Sequence, residues 1–193
     1  MTNVIQLHWK DGMTAADLDR LAAGNSVELT GRVISFRDAT AARLTRALDA
    51  GEPTPVPLHD QVLYAVGPSP PKPGQIIGSA GPTTTARMAR FLPTLFAAGV
   101  RAVIGKGELH GDDVAAFVTQ GAVYFAAIGG LGALLAKQIS SAGVVGYDDL
   151  GPEALYALEI NAFPAVVIID RQGRNFHEIA RARWKKLAGP TAE

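Results

Sequence analysis

From Gln61 onward the chain alternates short apolar runs with stretches of helical spacing, and this alternation limits the folds open to it. "QVLYAVGP", "VRAVIGKGE" and the start of "AVYFAAIGGLGALLAKQIS" read as buried strands. "FLPTLFAAG", "GDDVAAFVTQG" and the end of the last of those strings read as helices. Strands that alternate with helices build an α/β domain. Upstream, "VIQLHW" alternates like a half-buried strand, and "SVELTGRVISF" reads as strand, turn, strand. "TAADLDRLAAG" predicts a short helix from Thr14 to a stop at Gly24. "RDATAARLTRALDAG" predicts a longer helix, with Asp38 at its N-cap and Gly51 at its stop. "EPTPVPLHD" and "PSPPKPG" are loops. "QIIGSA" reads as a short strand entering "GPTTTARM", where Pro82 opens a helix that continues through "FLPTLFAAG". Pro93 fits there only near a first turn or at a kink. "GPEALYALEIN" reads as a helix, and "PAVVIIDRQGRNFHEI" as a hairpin around Gln172–Gly173. "ARARWKKLAGPTAE" is a basic helical end that frays over about 185–193. The expectation is one α/β domain over residues 1–193, with a mixed sheet and flanking helices.

The length of 193 residues and a hydrophobic share of 48% allow one real core. Formal net charge is zero, so no nucleic-acid partner is expected. Cysteine is absent, and this chain can supply no thiolate to zinc or to an iron–sulfur cluster. His8, His59, His110 and His177 stand at no metal-ligand spacing, so no metal site built from this chain is expected. No run is long enough to span a bilayer and the N-terminus does not read as a signal peptide, which places the expected protein in the cytoplasm.

Four constellations carry possible chemistry. In "FRDATAARL", Arg37 and Asp38 stand where a strand hands over to a helix, the edge at which α/β folds collect ligands. The plainer reading has Asp38 capping the helix and Arg37 pairing with a carboxylate. In "GPTTTARM", a helix opened by Pro82 puts the N–H groups of Thr83, Thr84 and Thr85 in its first turn, free for an anion. Arg87 then lies one turn after Thr83 on the same face. An ordinary threonine cap with a solvated arginine explains the same residues. In "IGKG", Lys106 sits between Gly105 and Gly107, which let a ligand approach the backbone closely, although a surface turn lysine fits too. It is not a nucleotide phosphate loop: Val100 and Gly107 stand where that motif needs Gly and Ser or Thr. Gly129, Gly130 and Gly132 lack dinucleotide spacing and read as tight strand–helix packing, with an anion at that helix start left open. The basic "RARWKK" offers either a partner surface or a solvated helix face.

In order along the chain, "FRDATAARL", "GPTTTARM", "IGKG", "AAIGGLGALLAK" and "GPEALYALEINAFPAVVIIDRQG" resemble the beta subunit, or C-terminal domain, of the iron–sulfur hydro-lyases, namely class I fumarases and L(+)-tartrate dehydratases. The resemblance runs from about Leu29 to near the end of the chain. It implies a swivelling β/β/α domain that adds water to, or removes it from, a small dicarboxylate. It also implies a cysteine-bearing alpha subunit, or N-terminal domain, that holds a four-iron, four-sulfur cluster, within a homo- or hetero-oligomer. On that resemblance Thr83 and Lys106 are catalytic, while Arg37, Arg87 and Asp38 hold substrate. Phe36 replaces the family's usual glycine, Ala41 the histidine of its "RDxAH" motif, and Glu108–Leu109 the common Asn-Arg. A second function class therefore stays open: an inactive paralogue that binds a small carboxylate or stabilises a partner.

Overall fold

The computed structural model describes residues 4–188. Among the described residues seven strands share one sheet, in the order β1-β2-β3-β4-β5-β7-β6. They are β1 (Ile5–His8), β2 (Ser26–Phe36), β3 (Val62–Ala65), β4 (Ala102–Gly105), β5 (Val123–Ala126), β6 (Ile139–Gly146) and β7 (Leu155–Ile169). Strands β1 to β5 pair in parallel, and β7 runs antiparallel to β2, β5 and β6. The β2–β7 pairing closes β2, β3, β4, β5 and β7 into a ring. Among the described residues six α-helices accompany the sheet: α1 (Ala15–Asp19), α2 (Asp38–Asp49), α3 (Leu92–Ala97), α4 (Asp112–Gln120), α5 (Gly132–Ala136) and α6 (Phe176–Ala188). The mixed α/β architecture is the one the alternation of runs predicts.

Every residue of β3 and β4 is buried, as their unbroken apolar runs require of strands covered on both faces. Leu63 and Val103 face Leu44, Leu92 and Phe117 of helices α2, α3 and α4. Their neighbours Tyr64 and Ile104 face the other way, toward Leu7, Leu18, Leu135 and Phe163. The parallel strands therefore end together at one edge, and the loops leaving that edge carry the candidate residues.

Several local expectations are corrected. "SVELTGRVISF" is one strand, not two. The register against β7 shifts between Leu29 and Gly31, where Trp9 packs so closely that a Cβ on Gly31 would stand 2.6 Å from its ring. α1 stops at Asp19, well before Gly24, although Thr14 caps it in a reciprocal pair with Asp17. "QIIGSA" forms no strand. Pro82 opens no helix: it bridges Val66, and two short 3-10 turns (Thr85–Arg87 and Ala89–Phe91) precede α3, whose first turn takes Pro93. Of "GPEALYALEIN", residues 151–153 end a 3-10 segment (Asp148–Glu153) and the rest from Leu155 is the start of β7, not an α-helix. Its Leu158 and Ile160, then Phe163, Ala165 and Val167, are buried at strand period, with an irregularity at Ala162 (φ 48°). Pairing with β2 and β6 overrides the helical propensity of Ala, Leu and Glu there. The expected hairpin keeps its first arm only. After the turn at residues 170–174 the chain makes one bridge, Ile169 to Asn175, and enters α6. Of the tail expected to fray, 185–188 belong to α6, and 189–193 lie outside the described residues.

Candidate functional site

Arg37, Lys106 and the loop that carries Thr83 and Arg87 all leave the C-terminal edge of the parallel strands. Arg37 follows β2 in extended conformation (φ −138°, ψ −172°) and is the N-cap residue of α2. Asp38 is thus the first helical residue rather than the cap, and its carboxylate turns to the arginines. Arg87 donates from Nε to Oδ1 at 3.2 Å, and its Nη2 stands 2.9 Å from Oδ2 as an ion-pair contact, with Oδ2 accepting no hydrogen bond among the described residues. Arg37 Nη2 stands 3.8 Å from the same Oδ2. With Glu153 also 3.4 Å from Arg37 Nη2, the two arginines are matched by two carboxylates, and about half of the Arg87 side chain is open to solvent (54%).

Thr83 and Lys106 are joined through backbone. Thr83 N–H donates to Ala65 O at 2.6 Å, Lys106 N–H to Thr83 O at 3.2 Å, and Thr85 N–H to Lys106 O at 2.9 Å. These bonds overturn the helix-start anion site: the chain is extended at Thr84 (ψ 114°), so Thr83 and Thr85 spend their N–H groups on the ends of β3 and β4. For the same reason Arg87 is not one helical turn above Thr83. The side chains remain: Thr83 is half-buried, and its hydroxyl makes no hydrogen bond among the described residues. Lys106 is half-buried and, among the described residues, unpaired. Its stem lies along Gly129, where a Cβ would come within 3.4 Å of Cδ and 3.8 Å of Nζ.

Sequence reasoning missed the residues that hold these groups still. Tyr124 donates to Gly107 O at 3.1 Å, and with its one proton placed there the Thr85 hydroxyl donates to Tyr124 at 3.1 Å. Burial pushes the Tyr124 phenol up to about 12, with the Thr85 contact pulling weakly the other way. Tyr64 donates to Ala80 O at 2.6 Å and anchors the approach to Thr83. The approach also packs on α5, whose Gly132 O accepts the Ala80 N–H at 3.0 Å. Of the glycine-rich run there only Gly132 packs backbone on backbone, against Gly81; Gly129 faces the Lys106 side chain, and Gly130 (φ 82°) has nothing within 4 Å of a Cβ placed on it. Glu153 accepts the Ala39 N–H at 2.8 Å, the capping duty expected of Asp38, and faces Arg37 at 3.4 Å. No sequence signal ties Glu153 to α2, since 114 positions separate it from Ala39.

The site is a charged shelf rather than a cavity. A cleft of about 680 Å³, lined by Trp9, Lys10, Arg32, Gln61 and Glu159 among others, includes none of the predicted residues. Among the described residues no cluster of three or more His, Asp or Glu is placed to hold a metal ion. No described helix is long and apolar enough to cross a membrane.

Residues 1–180 match the family model described as "Fumarase C-terminus". The chain belongs to this family. It is 33% identical to "Fumarate hydratase class I, anaerobic" of Escherichia coli K12 over 84% of its own length and 30% of that protein's. It is also 33% identical to the Methanocaldococcus jannaschii protein named "Putative L(+)-tartrate dehydratase subunit beta", over 91% of this chain and 93% of that one. "Fumarate hydratase 1, mitochondrial" of Leishmania major is again 33% identical over 84% of the chain. The chain thus spans about 30% of the length of the fumarases it matches, and nearly the whole of the beta subunit. Its relatives are hydro-lyases, and the family is one of lyases acting on dicarboxylates.

Proposed function

We propose that this chain is the anion-binding half of a hydro-lyase for a small dicarboxylate of the fumarate or tartrate type, completed by a cysteine-bearing partner in the cytoplasm. The observation that carries the proposal is the gathering of Arg37, Arg87, Lys106 and a free Thr83 hydroxyl at one strand edge. Arg37 and Arg87 receive the substrate's carboxylates, with Asp38 orienting the Arg87 guanidinium. Loss of water next to a carboxylate builds negative charge on that carboxylate, and Lys106 is placed to stabilise it. Thr83 moves the proton: its hydroxyl gives or takes H⁺ at the carbon that loses or gains it, and neighbouring cations favour the ionised form.

An iron–sulfur cluster does not fit the residues of this chain, which has no cysteine and no other ligand cluster among its described residues. The group is assigned to the partner.

The test is coexpression with a cysteine-bearing alpha-type polypeptide and assay of fumarate hydration and tartrate dehydration. The complex is expected to be active and the lone chain inactive. Thr83→Ala and Arg37→Ala complexes are each expected to lose about 100-fold or more, the usual scale for a proton-transfer group or charge-stabilising donor. Full activity in either variant would falsify the assignment of that residue. A second reading, a carboxylate-binding module without catalysis, is favoured by Ala41. That position lies fully buried among Leu44 and Leu92, leaving no motif histidine at the site. Fumarate binding by calorimetry to the lone chain, with an inactive complex, supports that reading instead.

A further inference from the structure

We infer that Glu153 is the positioning residue for Arg37, fixing both the guanidinium and the joint between β2 and α2 on which it rides. For its role in turnover this rests on the hydro-lyase reading above; the contact itself does not.

Arg37 lies across Gly67, where a Cβ would stand 2.6 Å from Nη1 and 3.2 Å from Cδ. The same Cβ would be 3.2 Å from Pro152 O, so the arginine runs between Gly67 and the turn that carries Glu153. From that turn Glu153 Oε1 meets Arg37 Nη2 at 3.4 Å, while Oε2 accepts the Ala39 N–H at 2.8 Å. One carboxylate therefore grips the side chain and the first turn of the helix that follows it. Its own backbone is pinned in turn. Glu153 O accepts the Thr40 hydroxyl, Ala154 O accepts the Ser35 hydroxyl at 3.2 Å, and Ser35 Oγ accepts the Tyr156 N–H at 2.8 Å. Both partners are mostly covered, with 22% of the Arg37 side chain and 27% of that of Glu153 exposed.

Asp38 cannot do this work alone. Arg87 holds it through two contacts, and Arg37 reaches it only at 3.8 Å. When a substrate carboxylate draws on the arginines, Glu153 is the group that keeps Arg37 aimed. Arg37 Nε is buried without a hydrogen-bond partner, so the guanidinium is held from one side and is not saturated.

The decisive variant is Glu153→Gln, which keeps an amide oxygen for the Ala39 N–H and removes the charge from Arg37. In the active complex KM for fumarate is expected to rise about fivefold, the scale of one partly exposed ion pair, with kcat within about twofold of wild type. A merely structural role would lower the active fraction, and so kcat, without moving KM. Combined with Arg37→Ala, Glu153→Gln is expected to add no further loss, since the two act as one unit. An unchanged KM, or additive losses, overturns the inference. A second readout needs no activity: the Arg37 Nε–H resonance of the isolated, ¹⁵N-labelled chain. It is expected to shift and to exchange faster with solvent in Glu153→Gln, while Ala39 N–H stays protected. An unmoved Nε–H overturns the inference. A wild-type complex that hydrates no dicarboxylate overturns the hydro-lyase reading instead, and the resonance then decides the coupling by itself.

Discussion

Thr85 is the best buried of the three threonines at the strand edge, and its hydroxyl ties the loop to Tyr124. Thr83 keeps its hydroxyl free because Thr85 supplies the anchor. Two predictions follow from that division. Gly105 faces the Thr85 hydroxyl with no room for a Cβ between them. Gly105→Ala is therefore expected to destabilise the chain by about 1–3 kcal/mol, as overpacked cores do, in chemical unfolding. The second concerns pH. Tyr124 titrates near 12 in the folded chain, against about 10 for an unfolded tyrosine. Its protonated form stabilises the fold fully below pH 10, and that contribution is lost as pH rises from 10 to 12. The loss runs at about 1.4 kcal/mol per pH unit for one group. Burial raises Tyr64 as well, so wild type falls by more than one group's share. Tyr124→Phe is expected to show a shallower fall of Tm between pH 9.5 and 11.5. An identical slope would assign the alkaline loss to other groups.

At the level of elements, what could be read from sequence follows from how far each signal reaches. β3, β4, β5, α2 and α4 announce themselves through local spacing and stops, and they fold close to the expected bounds. β7 does not, because "EALYALE" favours a helix until β2 and β6 pair with it, and those partners are far away in sequence. β6 has only Ile139 buried outright among mostly exposed small residues, so its sequence carries little period. The site divides in the same way. Arg37, Asp38, Thr83, Arg87 and Lys106 are visible as residue types at strand ends. Their arrangement is not, since Thr83 sits on an extended segment and Arg87 on a 3-10 turn, and the Thr83 and Thr85 N–H groups pair with the ends of β3 and β4. α5 supplies an element-scale test. A Cβ on Gly132 would collide with the Ser79 hydroxyl and stand 2.9 Å from Gly81 N and 3.1 Å from its Cα. Gly132→Ala is expected to push the 79–81 segment outward and carry Thr83 with it. The complex should lose about tenfold or more in kcat, because small misplacements of a reacting group are costly, while Tm moves by only a few degrees. Unchanged kcat would show that α5 does not set the position of Thr83.

For the whole molecule, the ring closed by β2 and β7 makes the two hydrophobic clusters interdependent. Adjacent residues of one strand serve opposite clusters: Val62 and Tyr64 enter one, Leu63 and Ala65 the other. Neither cluster can be lost while the other keeps its sheet, so the chain is expected to unfold as one unit. The two tryptophans make this testable. Trp9 packs on Gly31 at the β2 irregularity and donates to Arg32 O at 2.8 Å, so it reports the ring. Trp184 lies on α6, is 71% exposed and reports almost nothing of the core. In Trp184→Phe, the urea midpoint followed by Trp9 fluorescence is expected to coincide with the midpoint from far-ultraviolet circular dichroism. Helices α2, α3 and α4 lie on the face away from Leu7 and Phe163, so circular dichroism weights the cluster that Trp9 does not touch. Coincident midpoints therefore mean that both clusters go together. Separated midpoints would mean that the ring opens first, and that the strand edge carrying Arg37, Thr83 and Lys106 can lose its closure by β7 while the helical side stays folded.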